Sequence, residues 1–153
     1  MLRLSTRSRY GLRALVNIAY KTRLGKTATA VEIAEEENIS EKYLEQLLSF
    51  LRNQGIITGK RGSKGGYKLK LKEDGITVFE IIEIFEGPIE PVFCVNDADA
   101  CERAHYCVTR DVWLNIYEAV KQELSRITLK DLVNSAISRG IFSKQRPKSR
   151  RIC

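Results

Sequence analysis

TAVEIAEEENISEKYLEQLLSFLRNQGIITGKRGSKGGYKLKLK, residues 29–72, changes its periodicity twice within one short stretch. Thr29-Ala30-Val31-Glu32 has the spacing of a capping box, in which a hydroxyl and a carboxylate satisfy each other's backbone N–H groups. Ile33 and Ala34 follow, so a helix starts at Thr29, and Asn38, which tolerates left-handed backbone, ends it. Ser40 is a good N-cap for a second helix, with Glu41 in its first turn. Leu44, Leu47, Leu48 and Leu51 then form one apolar stripe that stops at Gly55. Two helices joined by so short a turn, the second amphipathic, make a helix-turn-helix. After Gly55 the pattern becomes extended. Ile56–Lys60 is short and partly β-branched, Tyr67–Lys72 alternates strictly, and a basic, glycine-rich segment (Arg61–Gly66) lies between them. That pattern predicts a β-hairpin with a cationic tip, and a hairpin placed here makes a winged helix. A nucleotide loop does not suit this glycine run, because no helix follows it and no Gly-Lys-Ser/Thr ending is present.

Working outward, Tyr10, Leu12, Ala14, Leu15, Ile18 and Ala19 predict a first helix over about 6–23. Arg3, Arg7, Arg9 and Arg13 crowd its start, where the macrodipole favours anions, so this end expects either a phosphate or a solvated face. Thr77-Val78-Phe79-Glu80 opens a short helix through Ile81, Ile82, Ile84 and Phe85, which Gly87-Pro88 ends. A longer helix is expected from Thr109 to Arg126, with Trp113, Ile116, Tyr117, Val120, Leu124 and Ile127 as one stripe. A winged helix this small offers little surface to cover such a stripe, which favours a dimer helix over a core contact. A last helix is capped at Thr128, runs to about Ser138 and stops at Gly140. A basic tail, expected to be disordered, closes the chain. The expected fold is mainly α with a small β-hairpin wing. A winged helix-turn-helix occupies residues 1–75, a cysteine loop and dimerisation helices 76–143, and the tail 144–153.

Charge divides along the same lines. Residues 1–75 carry 15 Lys/Arg against 8 Asp/Glu, residues 76–143 carry 6 against 11, and the tail carries 5 against none. A basic first half beside an acidic second half suits a chain whose reading head alone meets nucleic acid. No apolar run approaches the ~20 residues of a membrane span, and the first residues do not resemble a secretory signal. A cytoplasmic protein with reduced thiols is therefore expected. One histidine and no paired catalytic constellation speak against an enzyme or a small-molecule substrate.

The second helix of a helix-turn-helix places its N-terminal residues at base edges in the major groove. Here those positions are Ser40, Lys42, Tyr43, Glu45 and Gln46. Gln pairs with adenine, Glu accepts from the cytosine amino group, and Ser or Lys reaches phosphates or bases. Arg61 and Lys64 in the wing suit a minor groove or phosphates, and Arg7 suits a phosphate.

Cys94, Cys101 and Cys107 lie in a polar, acidic loop with the chain's only histidine, His105. Their spacing fits neither a helix face nor a strand face, but it lets a loop surround one centre. Structural zinc favours paired Cys-x2-Cys spacings, which are absent. An iron–sulfur cluster accepts wider ones, and a bare thiol or redox switch is the metal-free alternative.

Leu4–Gly11, Ile39–Gln46 and Arg61–Tyr67 together resemble the Rrf family of bacterial winged-helix regulators. The cysteine triplet makes the chain most similar to that family's IscR-type iron–sulfur regulators. The resemblance implies a homodimeric regulator of a double-stranded DNA operator, mainly a repressor, that senses cluster status and controls cluster-biogenesis genes. It implies base contacts at Lys42, Glu45, Gln46 and Arg61, and cluster ligation by Cys94, Cys101 and Cys107, with 2Fe–2S preferred over 4Fe–4S. The chain departs from the IscR-type pattern in two places. The first cysteine spacing is one residue longer, and Arg110, which cannot be a ligand, stands where the pattern has histidine. The fourth position is left to His105, to Asp97, Asp99, Glu102 or Asp111, to a side chain near Ser8 of a partner subunit, to Cys153, or to solvent.

Overall fold

The computed structural model describes residues 4–60, 62 and 65–143. Arg61 and Lys64 at the wing tip, and the tail 144–153 with its expected disorder, lie outside the described residues. Local caps start every long helix but one. Helix α1 (Thr6–Arg23) begins where the Ser5 hydroxyl accepts from the Ser8 N–H at 3.2 Å. Helix α2 (Ala30–Glu37) carries the Thr29/Glu32 capping box and ends at Asn38, whose φ of 53° turns the chain sharply. Helix α3 (Glu41–Asn53) starts from Ser40 and buries Leu44, Leu47, Leu48 and Leu51. Strand β1 (Ile57–Lys60) then pairs antiparallel with β2 (Gly66–Leu69), Ile57 opposite Leu69 and Lys60 opposite Gly66. The winged helix-turn-helix is present as expected. Ala28 and Tyr67 exchange two backbone hydrogen bonds of 2.9 and 2.7 Å, which fasten the wing to the start of α2.

Helices α4 (Val78–Glu86) and α6 (Leu129–Ser138) each begin with a capping box, Thr77/Glu80 and Thr128/Asp131. The two starts lie side by side: Val78 N–H donates to the Ile127 carbonyl at 2.8 Å and Leu129 N–H to that of Ile76 at 3.0 Å. Leu129 and Val133 of α6, and Ile81 and Phe85 of α4, are buried in one core with α1, α2, α3 and the wing base. Burying each such side chain stabilises by ~1.5–3 kcal/mol. Beyond α6, Phe142 stacks on Tyr20 with ring centroids 3.8 Å apart.

Helix α5 (Val108–Ser125) differs from the others, because none of its residues is fully buried. Arg110, Leu114, Tyr117, Val120 and Leu124 are half-buried, and Tyr117 sets its edge on Phe79 of α4 with centroids 6.5 Å apart. Val112, Trp113 and Ile116 stay 51%, 37% and 43% exposed. The single stripe expected here is therefore two faces. At ~100° per residue, Ile116 and Tyr117 point about a quarter-turn apart, one outward and one onto α4.

Candidate nucleic-acid interface and cysteine loop

Helix α3 presents its polar side as the leucine stripe requires. Glu41, Lys42, Glu45 and Gln46 are exposed, with Lys42, Glu45 and Gln46 at i, i+3 and i+4, so they share one face. Tyr43 is half-buried and packs edge-on against Tyr10 of α1, with ring centroids 6.1 Å apart. Ser40 is exposed, and its hydroxyl accepts from the Tyr43 N–H at 3.4 Å. Polar links tie α1 to α2. Arg13 pairs with the buried Glu37 at 3.1 Å, Asn17 donates to Glu36 at 2.6 Å, and Lys21 reaches Glu36 at 3.0 Å. Sequence periodicity gave no sign of these links, because polar residues on α1 look solvated until α2 is laid against them.

The start of α1 receives a carboxylate from within the chain, and Arg3 lies outside the described residues. Glu86, the last residue of α4, accepts from the Ser5 N–H at 2.7 Å and from the Ser8 hydroxyl, placing a carboxylate on the positive end of α1. Its partial desolvation is outweighed by hydrogen bonds from Ser8 and Ser5 and by nearby Arg7, which together hold its carboxyl below the usual range. The guanidinium of Arg7 itself lies over the Phe50 ring, 3.8 Å from its centroid.

The cysteine loop leaves α4 at Gly87, whose φ of 81° ends the helix, and runs as three single 3-10 turns, Phe93–Val95, Ala98–Ala100 and Ala104–Tyr106. Buried Val95 and Ala104 anchor it. Cys94, Cys101 and Cys107 are half-buried and in no disulfide, while His105 is exposed. Cys107 is the N-cap residue of α5, and its sulfur lies 3.2 Å from the Thr109 hydroxyl. That hydroxyl, then the Arg110 backbone N–H, hold the Cys107 thiol below its ordinary value. Arg110 Nε donates to the Cys94 carbonyl at 2.8 Å, so this residue clasps the two ends of the loop. Among the described residues, no three His, Cys, Asp or Glu side chains converge as a metal site in this conformation.

A family model described as "Iron-dependent Transcriptional regulator", Rrf2, matches residues 4–135. This chain belongs to the Rrf2 family. The Rrf2-family chain is 41% identical over 133 residues to the HTH-type transcriptional regulator CymR of Bacillus subtilis, covering 87% of this chain and 91% of CymR. The solved structure of CymR, titled the global cysteine regulator of that organism, superposes with a TM-score of 0.73, covering 88% of this chain and 98% of the other. The HTH-type transcriptional regulator IscR of Yersinia pestis is 31% identical over 150 residues, covering 98% and 90%. The structure of T. potens IscR is 29% identical with a TM-score of 0.71, covering 97% and 94%. The Rrf2 chain is thus a DNA-binding transcriptional regulator, and its relatives are regulators rather than enzymes. No described helix is long and apolar enough to cross a membrane.

Proposed function

We propose that this Rrf2 regulator is a cytoplasmic homodimer that binds a double-stranded operator, mainly as a repressor, and senses iron–sulfur status through the loop Cys94–Cys107. The observation that carries the reading is positional. Three free thiols sit on the one segment that joins α4, packed into the reading head, to α5, whose outer face is apolar and exposed. Lys42, Glu45 and Gln46 would meet base edges, with Ser40 and Tyr43 beside them. Arg61 and Lys64 would hold the wing to the groove, and Arg7 would support the phosphate backbone.

The donor set fits a cluster in kind: three thiols outside any disulfide, without the paired spacings of structural zinc. Cys94, Cys101 and Cys107 would hold it, with His105, the chain's one imidazole, for the fourth position. The described conformation keeps these donors on separate turns, so holding a cluster requires the turns to draw in. A bound 2Fe–2S group, preferred over 4Fe–4S by resemblance to IscR-type regulators, would supply a centre whose occupancy depends on iron and oxidants. The chain's own residues supply the mechanics. Arg110 clasps the loop's ends, and Cys107 stands at the N-cap position of α5, so a change in the loop is felt at the first turn of the pairing helix.

The three thiols, free of any disulfide, also support a second reading, a metal-free thiol switch on the same cysteines. Anaerobic purification with an absorption spectrum and iron, sulfide and zinc analysis separates the readings. Brown protein with equivalent iron and sulfide, bleached by Cys101→Ser, is expected. Colourless protein whose thiols close on mild oxidation supports the switch, and stoichiometric zinc contradicts both.

A further inference from the structure

We propose that Glu86 is a positioning residue that passes the state of the cysteine loop to the reading helix; the proposal rests on the sensing reading above. Glu86 and Phe85 end α4, eight and nine residues before Cys94. The two neighbours grip different helices. Glu86 holds the first turn of α1 through the Ser5 N–H and the hydroxyl of Ser8, a residue only 2% exposed. Phe85 is buried with its ring centroid 5.5 Å from that of Phe50 in α3. It also fills the place of a missing side chain on α1, where a Cβ on Gly11 would lie 2.0 Å from Phe85 Cζ. Arg7, one residue before Ser8, closes the ring of contacts by lying over Phe50.

The last turn of α4 therefore touches both α1 and α3 at one joint, and the cysteine loop departs from that turn. Packed helices shift as bodies along such contacts rather than bending continuously. A pull on Gly87 from the loop tilts the α4 end, and Glu86 carries the tilt to α1. The Arg7–Phe50 contact then hands it to the C-terminal half of α3. Phe85 packs whatever the loop does. The charged, directional grip of Glu86 is the part that fixes which tilt the head adopts.

The test uses full-length protein in a Cys153→Ser background, with the three loop thiols either free or capped by iodoacetamide. Hydrogen exchange of the α3 peptide and operator affinity are both read. In the parent, capping changes exchange in α3 and shifts operator Kd by about fivefold or more, within the usual range of coupling between sites. Glu86→Gln, which keeps shape and loses charge, and Ser8→Ala both retain the free-thiol Kd within about twofold and lose most of the response. A response in Glu86→Gln as large as in the parent overturns the proposal. So does an equal loss of affinity in both thiol states, which marks a merely structural contact. If capping moves exchange in α3 but leaves Kd unchanged in the parent, the sensing reading fails and the joint stands. If α3 exchange does not move in the parent, the joint is refuted.

Discussion

At Gly11 a single added carbon would meet the Phe85 ring, with Cβ 2.0 Å from Cζ in a buried contact. Overpacking of this kind costs ~1–3 kcal/mol, so Gly11→Ala should lower the unfolding free energy by that amount, read as a lower urea midpoint at an unchanged slope. The smaller ring-site variant Phe85→Leu should recover part of it in the double mutant. Additive losses would contradict the packing described here. Gln46 carries a prediction of its own, because it is exposed on the polar face of α3. Gln46→Ala should cost ~1–3 kcal/mol of specific operator affinity while leaving binding to random DNA unchanged. Equal losses on both DNAs would remove it from the reading residues.

Among the elements, what could be seen in the sequence was what is encoded locally. The Thr29 and Thr77 boxes and the Ser40 and Thr128 caps bond partners three residues on, and all four form where the sequence places them. The wing was legible from strict alternation after Gly55. Three things were not. Glu86 meets Ser8 across 78 residues, which no local pattern records. The stripe on α5 splits because two apolar faces with a shared edge look like one wide face until α4 covers half of it. The cysteine spacing named the three thiols and not the conformation of the turns that carry them. The α1–α4 clamp makes a pH prediction. The Glu86 carboxyl is held low in the folded state, so its contribution is fully present above the unfolded value, ~4.3, and is lost as pH falls through the folded one. Glu86→Gln should therefore be less stable than the parent near neutrality, with the gap closing below about pH 4. A gap that persists unchanged in acid would mean that charge is not what Glu86 contributes.

At the scale of the whole molecule, the basic winged helix and the acidic half that carries the cysteine loop share one core. The uncovered face of α5, Val112, Trp113 and Ile116, is where a second copy completes the assembly we propose. Ile116→Asp should convert a dimer to a monomer in sedimentation at micromolar concentration and weaken operator binding, while the far-ultraviolet spectrum keeps its helical form. A parent that sediments as a monomer would contradict this. The proposed mechanism requires that the loop speak to the head. The direct measurement is fluorescence anisotropy on operators selected from random DNA, comparing cluster-loaded with stripped protein prepared without oxygen. Affinity or operator preference is expected to differ between the two forms on at least one operator. Identical affinities on every operator would contradict it.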